Sequence, residues 1–125
     1  MNDVVANAPQ LRLEDLCRKL YLDTMERCLL GLVYQDPPGD TWNGGRFNLN
    51  TRMLGRDWPS QAHSMIGKLR MDNLRSAVEY VITHEIPGDF IETGVWRGGA
   101  CIMARAVFAA CSCPIPSPPI SRSRS

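Results

Sequence analysis

The chain lacks the features that mark a membrane or secreted protein. Its 125 residues contain no uninterrupted apolar run near the roughly 18 residues that a membrane-spanning helix requires. The N-terminal residues have no basic region followed by an apolar core, which is the arrangement of a secretory signal. With 44% hydrophobic and 22% charged residues, the composition is that of one globular domain. We therefore expect a cytoplasmic protein with no membrane partner.

An excess of charge of one sign is also lacking. The 14 lysines and arginines are interleaved with 13 aspartates and glutamates, and the formal net charge is +1. A nucleic-acid-binding surface needs clustered basic residues, and the two arginines of the terminal SRSRS sequence are too few. No nucleic-acid partner is expected.

Metal-ligand and disulfide patterns are missing as well. There are five cysteines, an odd number without C-x-x-C spacing, and only two histidines. These numbers support neither a disulfide framework nor a zinc site. We expect the thiols to be buried as small apolar side chains. Cys17 and Cys28 lie eleven residues apart, about three helical turns, and are predicted to share one face of a helix.

Two stretches before residue 86 have the periodicity of amphipathic helices. In residues 11–33 the apolar positions follow three- and four-residue steps, and prolines at 37 and 38 are expected to end the helix. These positions are Leu13, Leu16, Leu20, Met25, Leu29 and Leu32. In residues 69–83 the corresponding positions are Leu74, Ala77, Val78, Val81 and Ile82.

Residues 39–60 between these helices are predicted to form a long loop. The segment contains five glycines or prolines and no sustained period. Trp42, Phe47 and Trp58 argue against a plain linker, because large rings in a loop are usually held on a surface or over a ligand. A short turn or helix is expected at residues 60–67.

A strand, a glycine turn and a helix are predicted over residues 90–110. The sequence Phe-Ile-Glu-Thr at 90–93 is short, apolar and β-branched, and glycines follow at 94, 98 and 99 before a helical period resumes. The fold class predicted is therefore α/β. The expected domains are a disordered N-terminus (1–10), a helical cap (11–86), a first βα unit (87–110) and a disordered proline- and serine-rich tail (111–125).

The chemistry of the chain is expected at this turn, whose pattern is E-x-G-x-x-x-G-G. Glycines permit a positive φ and a close approach of a ligand to the backbone, and the helix N-terminus favours a polar or anionic group. The spacing is neither the G-x-G-x-x-G of a dinucleotide site nor a phosphate loop ending in lysine. The carboxylate of Glu92 suits an ammonium or sulfonium, so S-adenosylmethionine fits better than NAD or ATP. A purely structural glycine turn is the alternative.

Three blocks of sequence carry a family resemblance. They are YLDTMERCLLGLVYQDPP at 21–38, GRDWPSQAHSMIGKLRMDNL at 55–74 and PGDFIETGVWRGGACIMARAV at 87–107. Together they resemble the macrocin and mycinamicin O-methyltransferase family (TylF/MycF), over about residues 11–107. The resemblance implies a Rossmann-like methyltransferase that uses S-adenosylmethionine and magnesium. It also implies a small-molecule substrate, a sugar hydroxyl of a macrolide or another glycosylated natural product.

The resemblance also implies which residues contact the cofactor. The region of Ser64 and Met65 is expected to belong to the cap that closes over the cofactor, and the glycine turn to form the first cofactor-binding motif. The predicted cofactor-binding residues are Ser64, Met65, Glu92, Thr93, Gly94, Val95, Trp96, Arg97 and Gly98. Arg97 is expected either to orient a carboxylate or phosphate-like group or to cap the turn. His63 is interpreted as a structural or capping histidine rather than a general base.

No catalytic or metal-binding residue is predicted, because the sequence after Glu92 contains no Asp, Glu or His. A ribose-binding acid is expected about twenty residues after such a turn, and magnesium ligands and a base would follow further on. The hypothesis is a truncated or frameshifted, inactive copy of a longer methyltransferase. The alternative is a non-catalytic helical interaction fragment that oligomerises, as a dimer for example, through the stripe from Leu13 to Val33.

Overall fold

Four helices make up the regular structure of the computed structural model, which describes residues 12–112. They are α1 (Leu13–Leu29), α2 (Leu49–Met53), α3 (Gly67–Thr83) and α4 (Gly99–Ser112). None of these helices is long and apolar enough to cross a membrane. The predictions made for residues 1–10 and for 113–125, which include Cys113, lie outside the described residues.

Helix α1 is shorter than the periodicity of residues 11–33 predicts. It ends at Leu29 because Gly31 takes a positive φ of 67°, and the N–H of Leu32 then donates to the carbonyl of Arg27 at 2.9 Å. This is the Schellman arrangement, which satisfies carbonyls that the helix end leaves without partners. The helix therefore ends at a glycine, six residues before the first proline expected to end it.

The buried side of α1 differs from the predicted apolar stripe. Leu22 is fully buried and Leu29 is 5% exposed, but Leu13 is 74% and Leu20 is 57% exposed. Helix α4 packs against α1, yet Leu16 on the same predicted stripe is also 42% exposed. The stripe is therefore wrong for the first half of the helix.

The prediction of buried thiols is also wrong for α1. Cys17 and Cys28 are both exposed, because the side of the helix that faces the core carries Leu22, Glu26 and Leu29. Cys101 and Cys111 in α4 are half-buried.

The core is formed where α4 packs between α1 and α3. Met103 and Val107 of α4 and Met71 of α3 are fully buried there, together with Leu22 of α1. The helical periods predicted near 69–83 and 102–110 are confirmed. Helix α3 begins two residues earlier than predicted, and α4 continues to Ser112, two residues into the predicted tail.

The strand predicted at residues 90–93 is not formed in the described part of the chain. Those residues have no backbone hydrogen-bond partner, and the one β-type contact found in residues 12–112 is an isolated antiparallel bridge between Pro38 and Pro59. A strand is defined by pairing with a neighbour, so β-branched residues alone do not make one. The described residues are therefore mostly helical and carry no sheet.

Residues 39–60 are not a plain loop, because α2 lies within them. The side chain of Asn48 caps α2 by accepting from the N–H of Thr51 at 2.9 Å. Trp42 and Trp58 form an edge-to-face pair with ring centroids 5.2 Å apart, and both rings are exposed. Phe47 lies against a guanidinium of α2, with 5.5 Å between its centroid and Cζ of Arg52.

A fully buried arginine organises this segment. Arg52 donates from Nε to both carboxylate oxygens of Asp57, at 2.8 and 3.0 Å. Its Nη1 and Nη2 donate to the carbonyl oxygens of Leu30 (2.9 Å) and Asp36 (2.7 Å). The Asp36 carboxylate in turn accepts from the backbone N–H of Ala62 at 2.9 Å. The network therefore fixes the path of the chain into residues 62–65.

Candidate functional site

Residues 63 and 64 are held between two helices. The N–H of Ser64 donates to the carbonyl of Leu29 at the end of α1, and the N–H of Gly99 at the start of α4 donates to the carbonyl of His63, both at 3.0 Å. A Cβ on Gly99 would lie 2.4 Å from that carbonyl oxygen and 2.6 Å from Cβ of Ser64. Gly99 is thus required for the contact between the cap segment and α4.

This contact brings the cap segment and the glycine turn to one cavity of about 210 Å³. The cavity is lined by His63, Ser64, Met65, Ile66, Arg70, Glu92, Gly94, Trp96, Arg97, Gly98, Gly99 and Ala100. Seven of the nine predicted cofactor-binding residues are among them. Thr93 and Val95 are not, and both are exposed.

The two glycines that line the cavity leave free space in front of the backbone. Gly94 has φ +86° and Gly98 has φ +77°, a conformation that side chains rarely adopt. An added Cβ at either position would meet no atom within 4 Å. Packing therefore does not explain these glycines, and the space they leave allows a ligand to approach the backbone closely.

Glu92 offers one free carboxylate oxygen at this turn. Its Oε2 accepts a hydrogen bond from Sγ of Cys101 at 2.6 Å, and its Oε1 accepts none from residues 12–112. The hydrogen bond to Glu92 raises the pKa of the Cys101 thiol, and burial adds to the effect, so the thiol stays a neutral donor. The arrangement can bind a cation through Oε1.

Arg97 connects the glycine turn to the cap segment. Its Nη1 donates to the carbonyl oxygens of Pro59 at 3.3 Å and Ala62 at 3.1 Å. Its guanidinium stacks on the ring of Trp96, with Cζ 4.0 Å from the centroid. Both acceptors lie before Ser64 and outside the turn, so Arg97 links the two segments.

Five residues lining the cavity were not predicted as cofactor-binding from the sequence: Ile66, Arg70, Gly99, Ala100 and His63, the last of which was interpreted as structural. Ile66 is the residue before α3, and Arg70 lies in the first turn of that helix. Arg70 occurs within the sequence block 55–74, but no motif singles it out. His63 is exposed and contributes its backbone carbonyl, not its imidazole, to the contact with Gly99.

The chemistry of the cavity fits the amino-acid end of S-adenosylmethionine. A free carboxylate oxygen beside two open glycines matches an ammonium group on a chain that passes close to the backbone. Pockets that hold a whole ligand of this size are about 300–1,000 Å³, so the cavity is large enough for part of the cofactor. In residues 12–112 no three His, Cys, Asp or Glu side chains are grouped to hold a metal ion, so no magnesium ligands are assigned.

Comparison with known proteins decides the family. Residues 39–116 match the family described as Macrocin-O-methyltransferase (TylF), which is more than half of the chain. The chain belongs to this family. The resemblance inferred from the three sequence blocks is therefore confirmed.

The relatives of this TylF-family chain are O-methyltransferases. Over 94 residues it is 51% identical to 8-demethyl-8-(2,3-dimethoxy-alpha-L-rhamnosyl)-tetracenomycin-C 4'-O-methyltransferase of Streptomyces olivaceus. This match covers 74% of this chain and 36% of the relative. It is 48% identical to demethyldecarbamoylnovobiocin O-methyltransferase of Streptomyces niveus, over 73% of this chain and 36% of the relative. It is 43% identical to mycinamicin III 3''-O-methyltransferase of Micromonospora griseorubida, over 74% of this chain and 37% of the relative.

A solved structure agrees with these sequences. The O-methyltransferase NovP superposes with a TM-score of 0.70 at 47% identity, and the match covers 76% of this chain and 38% of NovP. The chain spans little more than a third of the length of the relatives it matches.

Proposed function

We propose that this chain binds S-adenosylmethionine at the glycine turn and contributes that site to an O-methyltransferase. The observation that carries the proposal is the free Oε1 of Glu92 beside two glycines with open space in front of them. Membership of the TylF family and the O-methyltransferase relatives support the same activity. Of the predicted residues, Ser64, Met65, Glu92, Gly94 and Gly98 are the ones proposed to contact the cofactor.

Each of these residues has its own role in the proposed binding of the cofactor. Glu92 pairs with the ammonium of the cofactor, and Cys101 holds the other carboxylate oxygen in place. Gly94 and Gly98 let the cofactor lie against the backbone, while Ser64 and Met65 close the cavity from the cap. When bound, the cofactor supplies a methyl group on a sulfonium. The chain's part is to hold the cofactor in one orientation for an in-line transfer.

The proposed methyl acceptor is a hydroxyl of a glycosylated natural product. The printed name of the Streptomyces olivaceus relative describes a substrate that carries a rhamnosyl group. The proposal includes the family's Rossmann-like fold, with residues 11–86 as a cap and 87–110 as the first βα unit. As the strand of that unit, residues 90–93 would need backbone partners that residues 12–112 do not supply.

The experiment that tests the proposal is a calorimetric titration of the parent chain and Glu92→Gln with S-adenosylmethionine. Removing the carboxylate charge should weaken binding about tenfold or more, because a hydrogen bond to a charged group is lost. Glu85→Gln is the matched control, since Glu85 is exposed and lies outside the cavity. Equal affinity of the parent and Glu92→Gln, or no binding by the parent, would contradict the proposal.

Self-association is a second candidate function, favoured by the uncovered apolar side chains of α1. Leu13, Leu16 and Leu20 are 74%, 42% and 57% exposed. Apolar patches of this kind mark contact surfaces on many proteins. Sedimentation of the parent and Leu20→Lys tests the idea. A dimer that Leu20→Lys converts to a monomer supports it, and a monomeric parent refutes it.

A further inference from the structure

One cation at the cavity has no partner in the described part of the chain. Arg70 lies in the first turn of α3 and lines the cavity together with Glu92. Its guanidinium makes no hydrogen bond or ion pair with any of residues 12–112, whereas the other two cations of α3 are both paired. Lys68 binds the carboxylates of Glu26 and Asp72, and Arg75 binds those of Asp23 and Glu79.

Arg97, the other arginine at the cavity, already has partners. Its Nη1 donates to two backbone carbonyls, and its guanidinium lies over the ring of Trp96. Both of these hydrogen bonds use Nη1 of Arg97, and Arg70 is the arginine of the cavity with no donor bonded to residues 12–112. The cavity then presents one free carboxylate oxygen, on Glu92, and one free guanidinium.

We propose that Arg70 binds the α-carboxylate of S-adenosylmethionine, while Glu92 binds its α-ammonium. The inference rests on the proposed function and extends it, because it assigns a second binding residue and a ligand class, the zwitterionic end of an α-amino acid. A guanidinium matches a carboxylate with two parallel N–H donors, which a point charge does not do. A carboxylate and a guanidinium in one cavity would also orient the amino-acid end of the ligand. In the reversed orientation the ligand's carboxylate would face Glu92 and its ammonium would face Arg70.

The test uses two ligands that differ by the carboxylate alone. S-adenosylmethionine and decarboxylated S-adenosylmethionine are titrated calorimetrically into the parent, Arg70→Gln and Arg70→Lys. The parent should bind the complete cofactor about tenfold or more tightly than the decarboxylated one. Arg70→Gln should lose this preference by binding the complete cofactor more weakly, with little change for the decarboxylated ligand. Arg70→Lys should retain part of it.

Arg56→Gln is the matched control, because Arg56 is an exposed arginine of the segment that contains α2 and does not line the cavity. It should keep the full preference of the parent. Urea denaturation of each variant should give the parent's midpoint, since Arg70 is exposed and contributes no described ion pair.

The outcomes separate the inference from the proposed function. A parent that binds both ligands equally, or an Arg70→Gln variant that keeps the preference, overturns the role of Arg70 and leaves the cofactor site intact. A parent that binds neither ligand overturns both. Loss of the preference in Arg70→Gln, with the preference kept in Arg56→Gln, supports both the role of Arg70 and the cofactor site.

Discussion

Two segments of this chain differ in whether their polar groups have hydrogen-bond partners in the protein. Residues 30–62 are folded around the buried Arg52, whose donors all have protein acceptors in Asp57, Leu30 and Asp36. Residues 86–98 are mostly exposed and leave backbone groups and Oε1 of Glu92 without partners in the described chain. The first segment is stabilised internally, and the second has groups available for a ligand.

The glycines of the chain show the same difference. Gly55 and Gly67 lie against each other, and a Cβ on Gly67 would be 2.4 Å from the nitrogen of Gly55. A Cβ on Gly94 or Gly98 would meet nothing within 4 Å. All four have a positive φ, so backbone conformation does not distinguish them. What distinguishes them is whether the space in front of the backbone is filled by protein.

The largest effect on stability is expected for Arg52→Met. The substitution leaves the Asp57 carboxylate buried without its cation and removes the donors for two carbonyls. Breaking a buried ion pair in this way should lower the free energy of unfolding, measured in urea, by about 3–5 kcal/mol. Arg56→Met, at an exposed position, should change it by less than about 0.5 kcal/mol. Similar losses in both variants would show that the first segment is not built around Arg52.

The second-largest effect on stability is expected for Gly67→Ala, for which Gly44→Ala is the control. Both glycines have a positive φ, 76° and 66°, so both alanines carry a similar backbone strain. The alanine at 67 also collides with Gly55, whereas nothing lies within 4 Å at 44. The collision should make Gly67→Ala less stable than Gly44→Ala by about 1–3 kcal/mol in urea unfolding. Equal stability of the two variants would contradict the close approach of Gly55 and Gly67.

The smallest effect is expected from acid at Asp40. Burial raises the pKa of this carboxyl, but the N–H groups of Trp58 and Asn43 outweigh burial and hold it below its ordinary value of 3.8. The stability that Asp40 contributes is therefore present above its unfolded pKa and is lost as pH falls through the lower folded value. Urea midpoints of the parent and Asp40→Asn should differ at pH 6 and converge on further acidification towards about pH 2. A constant difference over this range would contradict this account.

The sequence predicted three of the four described helices and most of the residues that line the cavity. Periodic apolar residues indicated α1, α3 and α4, and the E-x-G-x-x-x-G-G pattern indicated the turn whose residues meet Ser64 and Met65. Periodicity and glycine spacing are local signals, so one sequence is enough to reveal them.

What the sequence did not predict depends on contacts between distant residues. The burial of Arg52 depends on carbonyls 16 and 22 residues away, and the charge of an arginine favours an exposed position. The exposure of Cys17 depends on which side of α1 meets α4. The strand at residues 90–93 needs a neighbour to pair with, which its own composition does not supply. No local sequence pattern marks Arg70 as a binding residue, and its place at the site is seen only from the residues that line the cavity.

The central claim, that the open glycines of the second segment admit S-adenosylmethionine, is tested most directly by comparing Gly94→Ala with Gly44→Ala. The two positions share a positive φ and open space, but only Gly94 lines the cavity. Calorimetric titration with S-adenosylmethionine should give Gly44→Ala the affinity of the parent and Gly94→Ala an affinity roughly tenfold or more lower. Equal affinities of the two variants would contradict the claim, because the methyl group would then occupy space that no cofactor needs.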